Sequence, residues 1–203
     1  MRPREFDHDA LLRIAFDQVW RKGLRGALLS DIAREAGVQR GSLYNAFGSK
    51  EALFLAAYDR YAGDYLGAVE QALGGGTLRD SLTAFFDMTI RNFRSGTPPR
   101  GCPTTRGLME LDSSSSADAA LHDQAREAFA ALLTRIIALI EGAFARAASR
   151  GEFSSDAAAA AWQIVTVTRG LAVLERAFDD EAQLRKIAAH TIDLLLGKSD
   201  RAA

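Results

Sequence analysis

The chain has 203 residues, of which 48% are apolar, with 25 Lys/Arg against 26 Asp/Glu. That length allows one large domain or a small one joined to a larger, the apolar share is enough to bury a core, and a formal net charge of -1 excludes any whole-chain charge argument for nucleic acid. A single cysteine, Cys102, excludes an intrachain disulfide and a cysteine-based zinc site, and the scattered His8, His122 and His190 make a metal cluster unexpected, so neither metal nor cofactor is foreseen.

Charge is unevenly placed. Residues 1–50 carry nine Lys/Arg and six acids, a net +3, leaving -4 on the remainder. A mildly basic head on an acidic body fits DNA binding at one end. The N-terminus has charges but no apolar core of signal-peptide type, and no run reads as a membrane span, so a soluble cytoplasmic protein is expected.

The sequence reads as helices throughout, without alternation long enough for a sheet. A first helix is expected from Asp7 to Lys22, with Leu12, Ala15, Phe16 and Val19 on one face and Gly23 as its stop. Two short helices follow, over Ser30–Ala36 and Arg40–Phe47. Ser49 caps a long helix from Lys50 to Leu73 that ends at Gly74, Gly75 and Gly76. Further helices are expected over Leu78–Arg94, Thr104–Leu111, Asp118–Ser149, Asp156–Phe178 and Glu181–Leu196. The serines 113–116 form a loop able to cap the long one, Asp179 and Asp180 break the last two apart, and the tail from Lys198 is expected to fray.

The informative stretch runs from Leu29 to Glu51. Ile32, Ala36, Val38, Leu43 and Phe47 supply the apolar contacts of two short helices, Ala33 is small where they approach, and Gly37 sits in the turn, where positive φ is wanted. This is helix-turn-helix spacing, which places the second helix in a DNA major groove. Ser30 is expected to cap the first short helix, and Gln39 opens the second. Arg40 suits a phosphate or a guanine edge, and Gly41 allows close backbone approach. Ser42 is short enough for a base edge or a phosphate, while Tyr44 and Asn45 carry polar ends suited to phosphates. Ser49 and Lys50 open the next helix, whose first N–H groups favour an anion.

The same stretch resembles the DNA-binding domain of TetR-family regulators, whose pattern is close to T-x-x-D-I-A-x-x-A-G-V-S-x-G-x-L-Y-x-x-F-x-S-K-E-x-L. Asp31, Ile32, Ala33, Ala36, Gly37, Val38, Gly41, Leu43, Tyr44, Phe47, Ser49, Lys50, Glu51 and Leu53 occupy the matching places. Ser30 replaces the commoner Thr, Gln39 the commoner Ser, and Ala46 a frequent aromatic or His. The resemblance implies an all-α protein: a three-helix helix-turn-helix head over residues 1–49, joined by a long helix to a ligand-binding and dimerisation domain over 50–203. It also implies a homodimeric repressor on a palindromic operator, released by a small, partly apolar effector.

On that reading the last helix pair forms a four-helix interface with its twin, for which Ala161, Val165, Leu171, Leu174, Ile192 and Leu195 are the candidates. The effector pocket would lie among the middle helices, with Tyr58, Tyr61, Phe85, Met88, Thr89, Phe93, Met109, Phe129, Trp162, Thr166 and Arg169 as candidate lining. Thr166 and Arg169 need polar partners within an apolar helix. Arg169 either meets an anionic ligand or is satisfied by Glu110 or Glu175, and the structural pairing is the favoured expectation. The segment from Pro99 to Pro103 resembles a subgroup with a Gly-Cys pair before the sixth helix. Cys102 joins the pocket set either as an electrophile sensor or as a buried small hydrophobe, the latter being preferred. No phosphate loop, Gly-x-Ser-x-Gly or His-Glu-x-x-His occurs, so enzymatic activity is not expected.

Overall fold

A computed structural model describes residues 7–96, 101–111 and 119–197. Among them lie nine helices: α1 (His8–Gly26), α2 (Leu29–Glu35), α3 (Arg40–Phe47), α4 (Lys50–Leu73), α5 (Leu78–Phe93), α6 (Pro103–Leu111), α7 (Ala119–Ser149), α8 (Ala157–Phe178) and α9 (Glu181–Leu196). The serine loop at 113–116, Arg100 and the tail from Lys198 lie outside the described residues. The helices gather into two compact units. The first takes the described residues up to Asp64 and the stretch Arg106–Phe129; the second takes Tyr65–Thr105 and the residues from Ala130 onward. Each unit thus draws on two stretches of chain, and α4, α6 and α7 give residues to both.

In the first unit, α1 is kinked near its C-terminal end: Gly23 departs from helical geometry at φ +79, a conformation that a side chain resists. Arg106 of α6 closes that end, its Nη1 donating to the Trp20 carbonyl at 2.8 Å while its Nε holds Glu110 Oε1 at 2.8 Å. Carbonyls at a helix C-terminus lack partners of their own, and a guanidinium supplies them. Aromatic packing fills the interior: the Tyr58 and Phe129 ring centres lie 4.7 Å apart, and Phe54 meets Phe129 edge-on. Phe129 is seated against Gly107, where a Cβ would stand 2.4 Å from its ring.

The second unit packs α5, α8 and α9 against one another. Leu82, Phe85, Phe86 and Ile90 of α5, Ile164 and Leu171 of α8 and Leu184 and Ile192 of α9 are buried, together with Ile136, Ile140 and Phe144 of α7. A capping box starts α5: Thr77 accepts from the Asp80 amide, and the Asp80 carboxylate accepts from the Thr77 amide. Asp179, left-handed at φ 48, ends α8, and Asp180 caps α9, as the acidic pair implied. Ion pairs tie α9 to α5: Arg79 reaches Asp193 at 2.6 Å, and Arg185, also paired with Glu181 within α9, bonds Asp87. Arg94, just past α5, holds Glu175 at 2.7 Å, Asp179 at 2.8 Å and Glu181 at 3.1 Å. Glu175 is buried, its Oε2 has no hydrogen-bond partner, and burial pushes its carboxyl above the usual range, with the Arg94 charge opposing that shift.

Two stretches, His122–Ser149 and Ala157–Phe178, are long and apolar enough to cross a membrane by length and composition. This corrects the expectation that no such run exists. Both are alanine-rich helices that also contribute buried residues to the second unit.

Candidate nucleic-acid interface and effector site

Helices α2 and α3 pack together, and α2 also meets α1. Ile32, Ala33 and Leu43 are buried at their junction, with Ala36, Val38 and Phe47 half-buried. Gly37 makes the turn at φ +67, and the Val38 amide donates to the Ala33 carbonyl at 2.9 Å. Polar contacts fix α2 on α1: Lys22 Nζ holds Asp31 at 2.7 Å, Arg21 meets Glu35, and Gln18 donates to Glu35. The Lys22 bond holds the Asp31 carboxyl below its usual range, with Arg34 adding to the effect.

The outer side of α3 is open. Gln39, Arg40, Gly41, Tyr44 and Asn45 are exposed, and Ser42, Ser49 and Lys50 half-exposed. A Cβ built on Gly41 would meet nothing within 4 Å, so packing inside the protein does not demand that glycine. Arg40 lies along Tyr44: its Nη2 donates to the hydroxyl at 3.1 Å, and its guanidinium carbon is 5.4 Å from the ring centre. Ser49 accepts from the Ala52 amide at 3.0 Å and so caps α4, as expected. Ser30 differs from expectation. The N-cap of α2 is Leu28, without a side-chain bond, and Ser30 lies exposed inside the first turn. Gln39 is the N-cap of α3, but its side chain makes no capping bond.

The expected effector residues divide between the two units. Tyr58, Tyr61, Met109 and Phe129 belong to the first unit, and Met109 is 69% exposed. The others belong to the second, where Thr89, Phe93, Cys102 and Arg169 converge. Arg169 Nη1 donates to Cys102 Sγ at 2.9 Å, its Nε and Nη2 reach Thr168 Oγ1 at 3.4 and 3.2 Å, and its guanidinium carbon sits 5.9 Å from the Phe93 ring centre. Tyr65 joins them: its hydroxyl lies 3.2 Å from Thr89 Oγ1 and also bonds Arg169. Burial raises the Tyr65 phenol above its usual range against the pull of those two bonds. Sequence reasoning missed Tyr65, which differs from other aromatics on α4 only in what faces it.

The favoured pairing of Arg169 with Glu110 or Glu175 is not made. Glu110 is held by Arg106 and Glu175 by Arg94, and no described carboxylate pairs with Arg169. Phe85 is buried in the same unit, and Met88 is half-buried on the same helix. Trp162 and Thr166 point outward. Trp162 is 62% exposed, and Thr166 satisfies its own hydroxyl by donating to the Trp162 carbonyl at 2.8 Å.

The expected interface set is also redistributed. Ala161, Val165, Leu171 and Ile192 are buried within the chain itself, because the inward faces of α8 and α9 take them into the core. Leu174 and Leu195 are half-buried, and the exposed large apolar residues described on α8 and α9 are Trp162, Val173, Phe178 and Leu194.

Residues 11–57 match the model of bacterial regulatory proteins of the tetR family, and residues 79–191 match that of the tetracyclin repressor-like C-terminal domain. The chain therefore belongs to the TetR family of bacterial regulatory proteins. Among curated relatives, it is 32% identical over 103 residues to the HTH-type transcriptional repressor ComR of Escherichia coli K12, covering 50% of this chain and 49% of that protein. It is also 32% identical over 114 residues to the repressor NemR of the same strain, covering 55% and 57%. The chain thus spans about half the length of these relatives. Among solved structures, a cysteine mutant of the TetR family transcriptional regulator CifR, complexed with 26 bp double-strand operator DNA, superposes with TM-score 0.82 at 27% identity, covering 96% of this chain and 100% of that one.

Proposed function

We propose that this chain is a DNA-binding transcriptional repressor that acts in the cytoplasm as a homodimer on a palindromic operator and is released by a small molecule. The observation that carries the reading is the exposed face of α3. Arg40, Tyr44 and Asn45 project from a helix whose other side is pinned to α2 and α1, and Gly41 among them has open space before it. In the relative CifR, a fold of this kind is complexed with operator DNA. We assign Ser30, Gln39, Tyr44, Asn45, Ser49 and Lys50 to phosphates, and Arg40 and Ser42 to sequence choice, with Gly41 giving the backbone room. The functional division remains a DNA-binding head over 1–49 and an effector and dimerisation region over 50–203.

A twin is the occupant we assign to the exposed apolar face of α8 and α9, with Trp162, Val173 and Leu194 at its centre and Leu174 and Leu195 at its margin. Two recognition helices about 34 Å apart, one DNA turn, would then read two half-sites. The effector acts by population shift, binding the conformation that cannot engage DNA more tightly than the one that can. Residues of α4 belong to both units, which suits that helix to carry the change.

The Gly101–Cys102 pair precedes α6 directly, with Gly101 at φ +72, which supports the Gly-Cys subgroup. Cys102 is buried, and its sulfur accepts from Arg169 and from the Thr105 amide. We read it as structural, so Cys102→Ser should fold, bind operator and respond to effector. The reading as a whole is tested by a gel shift on DNA flanking the gene together with light scattering. A defined palindrome retarded by wild type, and a dimer lost in Trp162→Asp, are the expected results. A wild-type monomer at micromolar concentration, or no sequence preference, would sink it.

A further inference from the structure

We propose that the effector carries an anionic group, a carboxylate or comparable oxyanion, which Arg169 binds inside the second unit; this rests on reading that interior as the effector site. The argument begins with what a guanidinium needs. It is never neutral in a protein, and drawing it from water is costly unless an opposite charge and hydrogen bonds compensate. Other arginines of this unit obey that rule: Arg79, Arg94 and Arg185 each hold a carboxylate. Arg169 is half-buried and has no described carboxylate. Its acceptors are a sulfur and hydroxyl oxygens, and both contacts to Thr168 are long, at 3.2 and 3.4 Å. Glu175, on the same helix, is already taken by Arg94.

The surroundings describe the rest of the ligand. Phe93 lies beneath the guanidinium at 5.9 Å, and the buried Phe85 belongs to the same helix. Thr89 and Thr168 are fully buried, and the Tyr65 hydroxyl lies between Thr89 and Arg169. A fork of N–H donors backed by an aromatic ring and flanked by hydroxyls matches a planar carboxylate on an apolar body. A neutral polar ligand would leave the charge unanswered.

The full chain should be tested with two acids, 3-phenylpropionate and octanoate, each against its primary amide. Thermal melting of the protein alone and operator release in a gel shift are both read. Each acid is expected to raise the melting midpoint and release operator at concentrations on the order of tenfold to a hundredfold below its amide, the range of a charge-assisted bond. Arg169→Met should melt at or above the wild-type midpoint without ligand, because an uncompensated charge is gone, and should lose the preference for acid. If Arg169→Met does not fold, Arg169→Lys carries the test, and a several-fold fall in acid preference is then required. Acids and amides acting alike on wild type, or neither acting, overturn the proposal. So does an acid preference that survives in Arg169→Met or is undiminished in Arg169→Lys. A chain that is stabilised by the acids but binds no operator would instead sink the repressor reading and leave the anion site standing.

Discussion

The cations of the recognition helix and those at the helix junctions of the second unit are used differently. In the second unit, arginines at helix junctions are committed to the protein's own acids: Arg94 alone gathers Glu175, Asp179 and Glu181. On α3 and at the start of α4, Arg40 and Lys50 pair with no described carboxylate, although Lys22 and Arg34 nearby do. Committed charges hold helices together, whereas uncommitted ones mark where the counter-charge comes from outside. Arg169 shows that the second kind also occurs in an interior.

The sharpest way to break this contrast is to remove one cation of each kind. Arg94→Met should destabilise the protein by about 3 kcal/mol, because it strands the buried Glu175. Arg40→Met should change stability by less than about 0.5 kcal/mol, as exposed substitutions do, yet weaken operator binding. Denaturant melts of both variants check this, and equal losses would erase the distinction. The Arg94→Met deficit should also shrink toward acid pH, as Glu175 takes up a proton.

Next in size is the effect on DNA. Lys50→Ala and Tyr44→Phe should weaken binding on every sequence, and Lys50→Ala should lower the salt slope by about one unit. Titrations at several salt concentrations decide it, and an unchanged slope would take Lys50 off the phosphate.

The smallest effect separates two acids by pH. The Glu175 carboxyl is raised in the fold, so the stability it contributes is present at acid pH and is lost as pH rises through its folded value. Asp31 is lowered, so its contribution is present above its unfolded value near 3.8 and is lost as pH falls through the folded one. Comparing Asp31→Asn and Glu175→Gln with wild type across pH 3–7 should give slopes of opposite sign.

The helices were legible in the sequence because caps and breakers are local. Ser49, Gly23 and the Asp179–Asp180 pair each act within a turn of their own position. Ser30 misled because an extended Leu28 starts α2 two residues earlier. The recognition face was legible because α2 and α3 are short and their apolar spacing leaves one side polar. The faces of α8 were not, since that helix is apolar nearly all round. Its buried set, Ala160, Ala161, Ile164, Val165, Thr168, Leu171, Ala172 and Glu175, follows helical period only once the inward direction is known. Trp162, a candidate for the pocket, lies 62% exposed on the outward side of that helix. The partner of Arg169 could not be read because Glu175 is claimed by Arg94, 81 residues away in the chain.

The clasp of Arg106 on the end of α1 has a consequence for backbone exchange. The carbonyl of Trp20 is held by a side chain from α6, beside a glycine that has already left the helix. Opening of this last turn therefore requires α6 to let go. Deuterium uptake by a peptide spanning residues 20–27 then clocks that release from within the first unit, and Arg106→Ala should set the fast limit of the clock.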